Sequence, residues 1–160
     1  MSHFAEGVPR PTKRSVAVVV RHHADPARVL LVQRPDDDED LPGVWGLPAA
    51  SLVDGETALE AALRAGREKL GVMLDVMDVL NEGAHLREAY RLEMQLLDAR
   101  IVSGTPRVDV AVHEYEADGA GVRGRTRYQA WRWGVITELQ EAADLGSLCS
   151  RLALEADAGT

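Results

Sequence analysis

The sequence predicts a single α/β (α+β) domain, an α/β/α sandwich built around a mixed β-sheet. Short β-branched segments lie on both sides of one strongly punctuated helix, and a further helical stretch closes the chain. The strands and helices do not alternate as βα units, which excludes a doubly wound parallel fold. With 160 residues and 46% hydrophobic content, the chain suits one core. The domain is expected over residues 15–156. Residues 1–14, with Pro9, Pro11 and no periodicity, are expected to form a flexible arm.

Taken in order, residues 15–21 (Ser-Val-Ala-Val-Val-Val-Arg) read as a strand buried on both faces. Asp25-Pro26 turns the chain into a second strand, Val29 to Gln33, as in a hairpin. Residues 36–40 are five consecutive acids. They repel one another and lack spaced ligand geometry, so the expectation is a solvated loop. Residues 56–70 form the strong helix, with Thr57 or Asp54 to cap it and Gly71 to stop it. Leu59, Leu63, Gly66 and Leu70 mark its expected core face. Glu56, Glu60, Arg64 and Glu68 form a charged ladder in which Glu60 is expected to pair with Arg64. Strands are expected over residues 74–80, 90–102, 108–112 and 128–135, with a turn at residues 81–83. Thr137 is a candidate cap for a last helical region interrupted near Gly146.

A net charge of −8 repels polyanions, so a nucleic-acid polymer is not the expected partner. A small anionic ligand stays compatible with a local cation cluster. The single Cys149 excludes an intramolecular disulfide, and His22, His23, His85 and His113 show no metal-ligand spacing. Neither a signal-like h-region nor an apolar run of ~18 residues is present, so a cytoplasmic location without membrane contact is expected.

The stretch from Leu47 to Val72 resembles the signature of the Nudix (MutT-like) hydrolase family. With Gly71-Val72 as anchor, Ala50 falls at the signature's first glycine, Glu56 at its first glutamate and Arg64 at its arginine. Glu68 matches the first residue of the Glu-Glu pair. Ala65, Gly66 and Lys69 replace a glutamate, an aliphatic residue and the second glutamate of that pair. Residues 44–48 (Val-Trp-Gly-Leu-Pro), 30–34 and 131–139 resemble the flanking strands and terminal helix of the family. The box is therefore degenerate at acidic positions.

The resemblance implies a Nudix-like sandwich. It also implies metal-assisted hydrolysis of a nucleoside diphosphate linked to X, or of a nucleoside triphosphate. Mg²⁺ or Mn²⁺ would neutralise the phosphoryl oxygens and activate water. Glu68 and the Ala49 backbone carbonyl match the family's metal ligands, so Glu68, with Glu56 and Arg64 bracing the loop and helix, is the candidate catalytic set. Lys69 and Arg34 are the candidate phosphate contacts. An ammonium at position 69 disfavours a metal at the usual place. The alternative is a catalytically reduced domain that binds a nucleotide or protein partner without hydrolysis.

Glu114, Glu116 and the acids of residues 36–40 are candidate replacement carboxylates. For Glu68 the plain alternative is an exposed pair with Arg64, and for Arg34 an ordinary strand-end arginine. Arg123, Arg125 and Arg127 either receive an anion or offset the acidic surface. Trp45, Trp131 and Trp133 are read as core or sheet-face residues, with one of them lining a nucleotide pocket as the alternative. The alanine-lined helix face is the candidate packing surface for a homodimer.

Overall fold

The computed structural model describes residues 10–108 and 127–159. Its seven-stranded mixed sheet comprises β1 (Thr12–Arg21), β2 (Val29–Gln33), β3 (Trp45–Gly46), β4 (Ala49–Ser51), β5 (Met73–Leu86), β6 (Arg91–Ser103) and β7 (Ala130–Gly134). The helices are α1 (Ala58–Leu70), α2 (Gln140–Asp144), preceded by a 3₁₀ turn at Ile136–Leu139, and α3 (Leu148–Ala158). The main strand order is β3-β2-β1-β6-β5, with β4 added to β1 and β7 to β2.

β1 is the axis of the sheet. It runs parallel to β6 along its whole length, from Thr12↔Arg91 to Arg21↔Arg100. Its other edge is shared. β2 pairs with it only at Arg21↔Val29, while β4 pairs at Ser15, Ala17 and the residue between them. The sheet therefore splits between β2 and β4. Thr12, Lys13 and Arg14 belong to this strand, inside the region expected as an arm.

Alternation along β1 divides the core. Val16, Val18 and Val20 pack with Ala61, Ala62 and Leu70 under α1. Ala17 and Val19 pack with Leu31, Leu139, Leu148 and Leu152 under α2 and α3. Each fully buried aliphatic side chain contributes about 1.5–3 kcal/mol relative to exposure, which explains why a strand this rich in valine takes the centre. These two helical layers over one mixed sheet are the sandwich that the sequence predicts.

Helix α1 begins with a capping box. Thr57 Oγ1 accepts from Glu60 N–H at 3.1 Å, and Glu60 Oε1 accepts from Thr57 N–H at 2.9 Å. Glu60 thus closes the N-terminus and does not pair with Arg64 as the ladder suggested. Gly71 ends the helix at φ 66°, a left-handed position suited to glycine. Of the expected core positions, Gly66 and Leu70 are buried and Leu63 packs against the core, but Leu59 does not belong to the buried face. Leu59 is 50% exposed, while Ala61, Ala62 and Ala65 are at most 1% exposed. Small side chains let the helix lie close on the sheet, so the alanine face is consumed inside the chain and offers no homodimer surface. Gly66 permits the approach, since a Cβ there would meet Leu74 Cγ and Cδ1 at 2.8 Å.

Two further expectations are corrected. Residues 81–83 form no turn, because β5 continues to Leu86 with irregularities near Val76, Val79 and Asn81. Asn81 Nδ2 instead donates to the Leu152 carbonyl at 3.0 Å, and Gly83 makes room for Leu152. The final helical region is capped in two places. Glu138 accepts from Val135 N–H before the 3₁₀ turn, and Ser147 opens α3 after Gly146 at φ 100°. Most of the strand expected at residues 108–112 lies outside the described residues.

Candidate active site

The last turn of α1 delivers Lys69 to the strand β4. Its Nζ donates to the Ala49 carbonyl oxygen at 2.6 Å, and the residue is only 7% exposed. Tyr128 completes the arrangement from just before β7. Its hydroxyl accepts from Ala49 N–H at 2.9 Å and donates to Ala49 O at 3.3 Å. The ammonium also lies 5.4 Å from the centroid of the Tyr128 ring, within cation–π range. The lysine is therefore held where the resemblance had placed a metal ligand.

Arg64, one turn earlier, ties the loop before the helix to the helix itself. Its Nε donates to Glu56 Oε2 at 2.8 Å, and Nη2 donates to Glu56 Oε1 at 3.0 Å and to Ser51 O at 2.7 Å. Glu56 Oε1 also accepts from Val53 N–H at 3.1 Å. The Glu56 carboxylate raises the pKa of the already permanently charged guanidinium, against the opposing effect of burial. Such a forked, shielded pair is geometrically specific, so these residues fix β4 relative to α1. Glu68 lies 3.7 Å from Arg64 Nη1. This brings Glu56, Arg64 and Glu68 together as one charged network.

Arg34 leaves β2 and donates through Nε to Asp38 Oδ2 at 2.9 Å. Asp38 also accepts from the N–H groups of Leu41 and Asp40 at 2.9 and 3.2 Å. Burial alone would raise the Asp38 pKa. The Leu41 N–H and Arg34 outweigh it and hold the carboxyl below its ordinary value. The acidic loop is thus organised around Asp38, while Asp37, Glu39 and Asp40 stay exposed.

Where the sheet splits, a cleft of about 900 Å³ opens. Lys69, Ala49, Tyr128, Arg34, Trp45 and Ser15 are among its walls, with Arg87 and Arg127. Glu68 is not among the described residues that line it. The guanidinium of Arg132 covers the Trp45 ring at 4.7 Å while Trp45 still lines the cleft, and Trp131 and Trp133 pack against the α1-side core. Glu114, Glu116, Arg123 and Arg125 lie outside the described residues.

A divalent ion does not fit at the Ala49 carbonyl in this arrangement. The oxygen accepts from an ammonium at 2.6 Å, and a second cation there would meet strong repulsion at low effective dielectric. Glu68 is drawn to Arg64, and no group of three or more His, Cys, Asp or Glu among the described residues is disposed to hold a metal. Tyr128, Ser15 and Arg87 are cleft residues that the sequence did not single out. A serine within a valine-rich buried strand was the available signal for Ser15. Tyr128 and Arg87 carried none of comparable strength.

A split mixed sheet between helical layers, with a braced box helix beside the split, defines the Nudix architecture. The NUDIX domain family profile matches residues 11–144, and the chain belongs to that family. The fold is similar to that of a MutT protein from Methanosarcina mazei Go1, with TM-score 0.66 and 14% identity over 96% of this chain and 98% of the other. It is also similar to a C. elegans Ap4A hydrolase, with TM-score 0.63 and 16% identity over 92% and 96% of the two chains. In sequence, a putative nudix hydrolase of Caenorhabditis elegans is 33% identical over 67 residues. The match spans 42% of this chain and only 18% of that relative. No described helix is long and apolar enough to cross a membrane.

Proposed function

We propose that the cleft takes a nucleoside diphosphate linked to a further group X, or a nucleoside triphosphate. The chain would hydrolyse its phosphoric anhydride as an atypical Nudix pyrophosphohydrolase. The observation that carries this reading is the shielded Lys69 ammonium at the box, opening on the cleft of a Nudix domain. A fixed positive charge there attracts phosphoryl oxygens and stabilises the charge that builds on them when water attacks phosphorus and the bridging P–O bond breaks. Arg34 adds a second cation on the cleft wall. The nucleotide class also agrees with the similarity to an Ap4A hydrolase.

Glu56 and Arg64 act by positioning, since their fork holds the strand that presents Ala49 to Lys69. Glu68 is the remaining motif carboxylate, 3.7 Å from Arg64 Nη1. Its attraction to Arg64 and its place off the described cleft lining favour a second reading, in which the same ligand is held without hydrolysis. No step is assigned to a metal ion at Ala49.

The two readings separate in one experiment. Nucleoside triphosphates, dinucleoside polyphosphates, ADP-ribose and nucleotide sugars are incubated with the protein in EDTA, Mg²⁺ or Mn²⁺, and products and melting temperature are followed. The hydrolase reading expects turnover that survives EDTA, falls by about 10²-fold or more in Lys69→Met, and falls in Glu68→Gln. Thermal stabilisation without turnover establishes binding alone. Neither turnover nor stabilisation by any of these nucleotides sinks both.

A further inference from the structure

One end of the cleft holds two buried donors that the protein leaves without partners. Ser15 lies on the α3-facing side of β1, in line with Ala17 and Val19. It is 8% exposed, and its Oγ makes no hydrogen bond. Arg87 follows β5 at the turn into β6, where its N–H donates to the Tyr90 carbonyl at 2.8 Å. Its Nε is buried and also without a partner. These are the only two such side-chain atoms among the described residues, and both residues line the same cleft.

Folded proteins rarely leave buried polar atoms unsatisfied, because each costs free energy relative to water. Lys13 lines this end as well, with its ammonium 5.5 Å from the Tyr90 ring centroid. Guanidinium and ammonium can only donate, and a hydroxyl can donate or accept. The complementary group is an anion rich in acceptor oxygens. The exposed carboxylates of Asp37, Glu39 and Asp40 border the same cleft, whereas Ser15 Oγ and Arg87 Nε are buried. Repulsion at the rim is screened by salt; recognition at the buried donors is not.

We propose that Ser15, Arg87 and Lys13 form a subsite for an anionic oxygen group beyond the scissile anhydride. That group is a carboxylate on X or a further phosphate. Ser15 pairs with Ser51 and Ala17 with Ala49, so along the strand the Ser15 backbone lies two residues from the pair that carries the lysine's anchor. Two residues along a strand are roughly 7 Å. The subsite rests on the reading of the cleft as a phosphoric-anhydride site.

Calorimetric titration with two matched pairs tests it: UDP-glucuronate against UDP-glucose for the carboxylate, and ATP against ADP for the added phosphate. At least one pair is expected to show about tenfold tighter binding of the more anionic member. In Arg87→Gln that preference falls to within about twofold while the less anionic member keeps its affinity. Lys69→Met weakens both members of a pair alike. Ser15→Ala lowers the preference and, by removing an unpartnered hydroxyl, raises the melting temperature of the ligand-free protein by roughly 2 °C. Equal affinities within both pairs, or a preference that survives Arg87→Gln, overturn the subsite alone. If none of the four nucleotides binds, the anhydride reading of the cleft has failed and the subsite falls with it.

Discussion

Replacing Lys69 by glutamate should convert a site that excludes metal into one that needs it. The substitution removes the 2.6 Å bond from an ammonium to the Ala49 carbonyl, a charge-assisted contact worth about 1.5–3 kcal/mol. It also leaves a carboxyl group beside that carbonyl at a position only 7% exposed in the wild type. Adding the desolvation of the new acid, the metal-free variant should lose about 2–4 kcal/mol of stability. For a domain of this size that is about 5–15 °C in melting temperature. The new carboxylate and the Ala49 oxygen supply oxygen ligands of the kind magnesium and manganese prefer. With a Kd of about 0.1 mM, 1 mM Mn²⁺ would return about 1.4 kcal/mol, or roughly 3–6 °C. The assay is a thermal melt in EDTA and in MnCl₂, paired with a titration of free Mn²⁺ by electron paramagnetic resonance. Wild type should show no specific shift. Equal stabilisation of both proteins, or a variant as stable as wild type in EDTA and unmoved by Mn²⁺, would refute the reasoning.

Three other outcomes follow from the same geometry. Glu56→Gln leaves Arg64 shielded without its forked partner and should cost about 3 kcal/mol in urea unfolding, whereas Glu60→Gln, exposed at the cap, should cost under about 1 kcal/mol. Gly66→Ala gains about 1 kcal/mol of helix propensity but drives a methyl group into Leu74, so a net loss of about 1–2 kcal/mol is expected by the same measurement. Asp38 has a depressed folded pKa, so its contribution is complete above its unfolded value of about 4 and is lost as pH falls through the lower folded value. Wild type should therefore lose stability relative to Asp38→Asn as pH drops below about 4, and parallel pH profiles for the two would contradict the assignment.

What the sequence made legible was governed by distance along the chain. Thr57, Glu60 and Gly71 bound α1 through contacts within five residues, so its ends could be read directly. Glu56 and Arg64 were legible through their motif spacing, which one helix and its entering loop satisfy locally. The leucine stripe held at Leu63 and Leu70 but misled at Leu59, because hydrophobicity alone ranks Leu59 above Ala61 and Ala65. Close packing against β1 reverses that order. Asn81 and Gly83 looked like turn residues, yet their local preferences were overridden by contacts with Leu152, about seventy residues away. Lys69 stood out as a departure from the family pattern. Its inward contact depends on Tyr128 and Ala49 meeting across the split sheet, which no local pattern encodes. Arg87 becomes notable only in the fold, where its buried Nε has no partner.

The lysine on the Ala49 carbonyl also has a genetic consequence. Both glutamate codons become lysine codons by changing their first base alone. The two charge solutions at this carbonyl, a tethered ammonium or a carboxylate that recruits a free ion, are thus adjacent in mutational space. Tyr128 holds the same backbone amide and carbonyl through its own hydroxyl. At position 69 one substitution exchanges a carboxylate for a cation built into the chain; Ala65 marks a second, separate loss of an acid from the same helix.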